Sequence, residues 1–197
     1  MKTSNEQRAD TVHDERRSQI KKAALKVFAL RGLANTKMSM IAEEAGVSQG
    51  LSYRYFESKE ELFTLLVQEA LEEAQAAIQN IRSLSVSPTE QIKGLTLRML
   101  DDSHKHFFML LQHAQSTDDI PLKAKQMLER YSPNETIEYL VPIFRKGQEN
   151  GEFCEGDPFR MLFLYFSVVT GLMLQDFQTP PGYWLQDVDR LMKIIVK

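Results

Sequence analysis

The residues that invite a chemical reading fall in one run, Thr36 to Lys59, TKMSMIAEEAGVSQGLSYRYFESK. Within it Gln49, Gly50, Ser52, Tyr53, Arg54 and Tyr55 follow Ser48 closely. A glutamine amide can meet adenine through two hydrogen bonds, and an arginine can meet guanine in the same way. Tyrosine hydroxyls and the Lys59 ammonium suit phosphate oxygens. A glycine at position 50 lets backbone approach a duplex. These are groups for recognising a nucleic acid. Groups for making and breaking bonds are scarce elsewhere. The sequence has no Gly-x-Gly-x-x-Gly, no Walker loop and no His-Glu-x-x-His. Asp101-Asp102 and Asp118-Asp119 are adjacent in sequence, so on a helix they diverge rather than converge on a substrate. His104 and His106 are two apart, and no histidine pair has the i,i+3 or i,i+4 spacing that puts two ligands on one helix face. Cys154 is the single cysteine and can make neither an internal disulfide nor a cysteine-based zinc site. No catalytic residue, metal or cofactor is expected.

The elements that would present this run are short helices. Thr36 is placed to cap a helix through Glu44, with Ile41, Ala42 and Ala45 facing inward. Gly46 sits where a left-handed residue would end that helix. Val47 follows as a buried turn residue, and Ser48 can cap a second helix from Gln49 to Phe56. Short helix, glycine turn, short helix is the spacing of a DNA-reading helix-turn-helix. A preceding helix is expected from near Thr11–Asp14 to Arg31, with Ile20, Ala23, Ala24, Val27 and Phe28 as its apolar stripe.

The remainder reads as helical throughout, since no segment alternates with period two. Ser58…Glu61, Ser87…Glu90 and Ser132…Glu135 have capping-box spacing, and Pro88 and Pro133 stand at the first helical position. Helices are expected over 58–81, 87–113, 121–130, 132–149, 157–177 and 183–197, the last two parted by Pro180-Pro181-Gly182. Met99, Phe107, Leu111, Phe144, Tyr165, Phe166 and Met173 (with Phe108) are candidates to line a ligand pocket, against the plainer reading that they are core. Residues 1–60 carry 11 Lys/Arg against 8 Asp/Glu, and residues 61–197 carry 13 against 19, for a net charge of −3. A mildly basic first third on an acidic body fits a small nucleic-acid-binding domain joined to a different module. Met161 to Gln175, the longest uncharged stretch in the C-terminal half, has 15 residues, short of the about 20 a membrane span needs. No apolar block opens the chain, so a cytoplasmic protein is expected.

Residues 41–62, IAEEAGVSQGLSYRYFESKEEL, with FALRGLANT before them, resemble the TetR family of bacterial transcription regulators. About a dozen positions of the family's pattern agree. Residues 147–158, GQENGEF…DP, are similar to the run before that family's dimerisation helices. Residues 1–10 are polar and read as a flexible tail; behind them the resemblance implies an all-α fold, a three-helix DNA-binding domain over 11–58, then a helical ligand-sensing and dimerisation domain over 59–197. It implies base-edge contacts from Ser39, Gln49, Gly50 and Arg54, and phosphate contacts from Thr36, Ser48, Tyr53, Tyr55 and Lys59. It implies a double-stranded DNA operator, a homodimer through 157–177 and 183–197, and a small-molecule effector, which the pocket candidates make largely apolar. Two positions depart from the pattern. Ser52 stands where a large apolar residue is usual, and Tyr55 where histidine is frequent. An all-α adaptor with no affinity for DNA is the alternative.

Overall fold

A computed structural model of the chain describes the backbone of residues 4–131, 133–174, 180 and 182–197, and the side chains within them save those of 4–11, 82, 102–103, 133–135 and 174. The helices are α1 (Ser4–Arg31), α2 (Met38–Glu44), α3 (Gln49–Tyr55), α4 (Lys59–Ser83), α5 (Pro88–Leu100), α6 (Asp102–Gln115), α7 (Leu122–Glu129), α8 (Pro133–Glu149), α9 (Pro158–Leu174) and α10 (Val188–Met192), with a 3-10 turn at Tyr183–Asp187. Among the described residues the only β pairing is an isolated bridge between Phe153 and Val196. No helix among them is long and apolar enough to cross a membrane. The chain forms two compact units. One holds Met1–Ala70 and Leu110–Leu128, the other Leu71–Met109 and Glu129–Lys197.

In the first unit the α1 stripe is buried as its periodicity requires: Ile20, Ala23, Ala24, Val27 and Phe28. The Phe28 ring meets that of Phe63 edge-on at 5.2 Å. Helix α1 begins at Ser4, well before the start expected near Thr11–Asp14. Polar side chains at Asn5, Glu6, Gln7 and Arg8 obscured that start, because helix propensity needs no apolar stripe. Gly32 and Gly46 have φ of 70° and 63° and end α1 and α2, as expected of glycine in left-handed backbone. Ser48 caps α3 by accepting the Leu51 amide at 3.2 Å. Ser58 accepts the Glu61 amide at 3.0 Å, and the Glu61 carboxylate reaches back to the Glu57 amide at 2.7 Å.

The second unit has a core of Ile92, Leu95, Leu140, Phe144, Phe153, Leu162, Tyr165, Val169, Val188, Met192 and Ile195, among others. Phe144 and Phe153 stack at 4.6 Å. Tyr165 is fully buried and shares a 2.8 Å hydrogen bond with Thr96; its hydroxyl also donates to the Met192 sulfur at 3.3 Å. Burial pushes its phenol above the ordinary range, against the opposing hydrogen bond from Thr96, so it stays neutral. Ser87 accepts the Glu90 amide at 3.2 Å. The Ser132…Glu135 box falls on Ser132, outside the described residues, as does Pro181 at the break before the last segment.

Two expected helices are different in the structure. The helix expected over 87–113 is two helices, parted at Asp101, whose ψ of 130° is extended. The Asp101 carbonyl accepts the His104 and Lys105 amides, opening α6. Aspartate favours such a helix-starting position, but residues 101–106, Asp-Asp-Ser-His-Lys-His, include no glycine or proline to mark the break. The helix expected over 183–197 is a 3-10 turn and the five-residue α10. The chain then runs into the Phe153–Val196 bridge, where the Cys154 amide donates to Ile195 O at 2.8 Å and the Lys197 amide to Glu152 O at 3.0 Å. Val188, Met192 and Ile195 are buried inside the unit. These three apolar residues of the segment expected to dimerise therefore serve this chain's own core. For the helix expected over 157–177, α9 is described to Leu174, and 175–177 lie outside the described residues.

Candidate nucleic-acid interface

Helix α3 has one buried side chain, Ser52, whose hydroxyl donates to Gln49 O at 2.7 Å within its own helix. Phe56, which follows α3 as its C-terminal cap, is also buried. Gln49, Gly50, Tyr53 and Arg54 are exposed, with Ser48 at the cap, and Tyr55 is half-buried. A short helix held by one side thus shows the other to solvent. Its exposed groups are a carboxamide, a guanidinium and a phenol, the set that reads base edges and phosphates. Ser39 is exposed on α2 and Lys37 is exposed as that helix's N-cap. Arg54 and Lys37 have no ion-pair partner among the described residues, whereas Lys26 pairs with Glu44 at 2.7 Å and Lys21 with Glu69.

Two expected phosphate contacts are committed elsewhere. Thr36 is buried, and its hydroxyl donates to Gly32 O at 2.7 Å. It does not cap α2; Lys37 takes the N-cap position, with no side-chain bond. Lys59 sends its ammonium to two carbonyls, Leu33 O and Thr36 O, each at 2.9 Å. Those oxygens belong to the turn after α1; Leu33 O also accepts the Thr36 amide at 3.2 Å, and a lysine at the start of α4 adds a donor to each. Both residues build the domain. Lys37, exposed before a short helix, has no distinguishing spacing in the sequence.

Gly46, Ser48 and Gly50 also spell Gly-x-Ser-x-Gly, the nucleophile-elbow signature. That motif requires a strand before the serine. Here α2 precedes it and Ser48 Oγ is occupied as a helix cap, so the spelling carries no nucleophile.

Residues 20–66 match the family model described as bacterial regulatory proteins, tetR family. Over these residues the chain matches the TetR family. The match spans α2 and α3 with residues 20–31 of α1 and the first two turns of α4. It is similar to the HTH-type transcriptional repressor KstR2 of Mycolicibacterium smegmatis, 28% identical over 54% of this chain and 53% of that protein. The chain spans 53–58% of the length of the first curated relatives it matches. Among solved structures, the ketosteroid transcriptional regulator KstR2 of Mycobacterium tuberculosis superposes with a TM-score of 0.68, at 24% identity over 92% of this chain and 95% of that one. AibR, in complex with isovaleryl coenzyme A and operator DNA, superposes with a TM-score of 0.63, at 16% identity over 91% and 97%. These likenesses extend the TetR fold, a helix-turn-helix followed by a helical domain, over nearly the whole chain. These relatives are regulators of transcription.

Of the seven expected pocket residues, Leu111 falls in the first unit and the other six in the second. Met99, Phe144, Tyr165 and Met173 lie in the core of the second unit, with Phe166 packed against it. Phe107 is half-buried on α6, and Leu111 is buried in the other unit. A cleft of about 430 Å³ in the second unit is lined by other residues, among them Ala77, Ile81, Leu97, Arg98, His104 and Leu185. Arg98 pairs there with Glu73, and His104 lies 3.2 Å from Asp101 and 3.7 Å from Glu73. Apolar residues that fill a core and those that line a cleft obey the same periodicity, so sequence alone does not separate them.

Proposed function

We propose that this protein is a homodimeric repressor of the TetR family that leaves a palindromic operator when a small molecule binds. The observation that carries the reading is the solvent-facing side of α3, with Gln49, Gly50, Tyr53 and Arg54 exposed on a helix anchored by its opposite side. Residues 11–58 read DNA in this proposal, Ser48 and Tyr55 meet phosphate and Ser39 adds a base-edge contact. Residues 59–197 sense and dimerise. A DNA-binding role makes the protein cytoplasmic.

Dimerisation falls to α9. Phe163, Leu164 and Val168 are exposed there, large apolar side chains with no cover in one chain. Contiguous exposed apolar surface of this kind marks an interaction site. The effector enters the second unit, and the cleft of about 430 Å³ has the size of a small-molecule site. KstR2 and AibR, which share the fold, are described as a ketosteroid regulator and as holding a coenzyme A thioester; a largely apolar effector is consistent with both. Residues 59–83 contain no glycine or proline, so α4 transmits motion rather than absorbing it. Two reading helices of a dimer engage half-sites about 34–36 Å apart, so a small tilt disengages one.

The test is a binding and footprinting experiment on the DNA upstream of the protein's own coding region. A symmetric footprint with half-sites about one turn apart is expected. Gln49→Ala should cost roughly 1–3 kcal/mol on that site and almost nothing on random DNA. Equal losses on both would remove Gln49 from base reading, and no preference for any duplex would favour an adaptor role.

A further inference from the structure

Helix α1 touches the end of α3 through two rings. The His13 ring lies 4.7 Å from that of Tyr55, centroid to centroid, with planes 41° apart. The Arg17 guanidinium sits 5.1 Å over the ring of Phe56. His13 and Arg17 are four residues apart and share one face of α1. Tyr55 is the last residue of α3, and Phe56 is its cap. A seven-residue helix has no stability of its own, so its direction depends on what grips it. Its one buried side chain, Ser52, bonds only within α3.

We propose that His13 and Arg17 are positioning residues that aim α3, and that protonation of His13 tunes the affinity for DNA. The inference rests on α3 being the element that meets DNA. Arg17 is charged at every relevant pH, whereas histidine changes charge between about pH 5 and pH 8. A protonated imidazole is attracted to an aromatic ring as a cation. It also places one positive charge next to Tyr55, where a phosphate is expected. Bound DNA favours the protonated form, so affinity falls as pH rises. The charged and titratable groups around His13 are Asp14, 3.8 Å from Nδ1, and Arg16 and Arg17 on α1. Tyr55 and its chain neighbour Arg54 come from α3. The sequence also puts Asp10 one turn back.

The experiment uses the full chain and a labelled duplex that the protein itself enriches from random sequence. Dissociation constants are measured at about pH 6 and pH 8. The parent should bind roughly three- to ten-fold more tightly at the lower pH. His13→Phe keeps a ring against Tyr55 and carries no proton. It should match the parent at the higher pH and show no pH dependence, although His104, His106 and His113 remain. Arg17→Gln should bind more weakly at both pH values with the parent's ratio intact. His13→Ala and Tyr55→Ala should be non-additive, since one acts through the other. A pH dependence that survives in His13→Phe overturns the inference, and so does additivity. The His13 side chain is 62% exposed, so the His13 variants should melt with the parent; a fall in melting temperature that tracks the lost affinity also overturns it. A parent that enriches no duplex fails earlier, at the DNA-reading role itself.

Discussion

Lys59 shows how a side chain's type and its task can part company. A lysine beside a reading helix is chemically suited to phosphate, yet its ammonium already serves two carbonyls at 2.9 Å. Lys59→Ala would remove one charged donor from each of those oxygens. Hydrogen bonds from a charged group contribute about 1.5–3 kcal/mol. The variant should therefore lose about 1–3 kcal/mol of stability, read by urea unfolding. The salt dependence of DNA binding should stay close to the parent's, because no counterion-displacing contact is lost. A slope lowered by about one unit per subunit with stability unchanged would return Lys59 to the phosphate backbone. Thr36 belongs beside it: buried, with its hydroxyl bonded to Gly32 O. Gln49 and Arg54, by contrast, remain in solvent.

At the scale of elements, the run GQENGEF closes α8 and carries two separate constraints. Gly151, at φ 75°, turns the chain after the helix. Gly147 is different: a Cβ there would run into the Phe153 ring. The missing side chain is the space that Phe153 occupies while it stacks on Phe144. Gly147→Ala should destabilise the second unit by about 1–3 kcal/mol, the usual cost of overfilling a core. Thermal melting reads this, and an unchanged midpoint would mean that the ring moves aside at no cost. Next to this run, Glu152 accepts from the Thr89 amide at 3.0 Å and hydroxyl at 2.7 Å, at the start of α5. Burial works against its charge, but hydrogen bonds from Asn150 and Thr89 and the charge of Lys146 outweigh it and hold the carboxyl below its ordinary range. A carboxylate depressed in the folded state stabilises above the unfolded carboxylate range and loses that contribution as pH falls. Stability of the parent should decline on acidification from about pH 5 downward, and Glu152→Gln should flatten the decline. Identical acid profiles would show that the contacts of Glu152 contribute nothing.

For the whole molecule, the exposed apolar face of α9 is the feature one chain leaves unsatisfied. Leu164 is 58% exposed and Phe163 49%. If α9 meets its copy, Leu164→Glu places an unpaired carboxylate in the contact of each subunit. Burying such a charge costs several kcal/mol, so dimerisation should weaken roughly a hundred-fold or more. Sedimentation equilibrium would show a dimeric parent and a monomeric variant that still melts cooperatively. A variant that remains dimeric would put the interface elsewhere. The effector and DNA should then be linked reciprocally, typically by about 1–3 kcal/mol, whichever is added first.

Residues 36–62 were legible in advance because local rules decide them. A glycine with positive φ, a serine cap and three or four inward apolar residues specify two short helices and a turn without reference to anything distant. The helical class of the remainder was legible for the same reason, since a 3.6-residue stripe is a local pattern. What only the tertiary structure decided concerns partners far apart in sequence. Lys59 reaches Leu33 and Thr36, 26 and 23 residues back. Cys154 and Phe153 meet Ile195 and Val196, some forty residues on, and draw the last segment into a bridge where its stripe alone predicts a helix. Tyr165 and Phe144 fill a core where their types equally suit a pocket. Burial and hydrogen-bond partners are properties of the folded chain's neighbourhoods, and periodicity records only which side of an element faces inward, not what waits there.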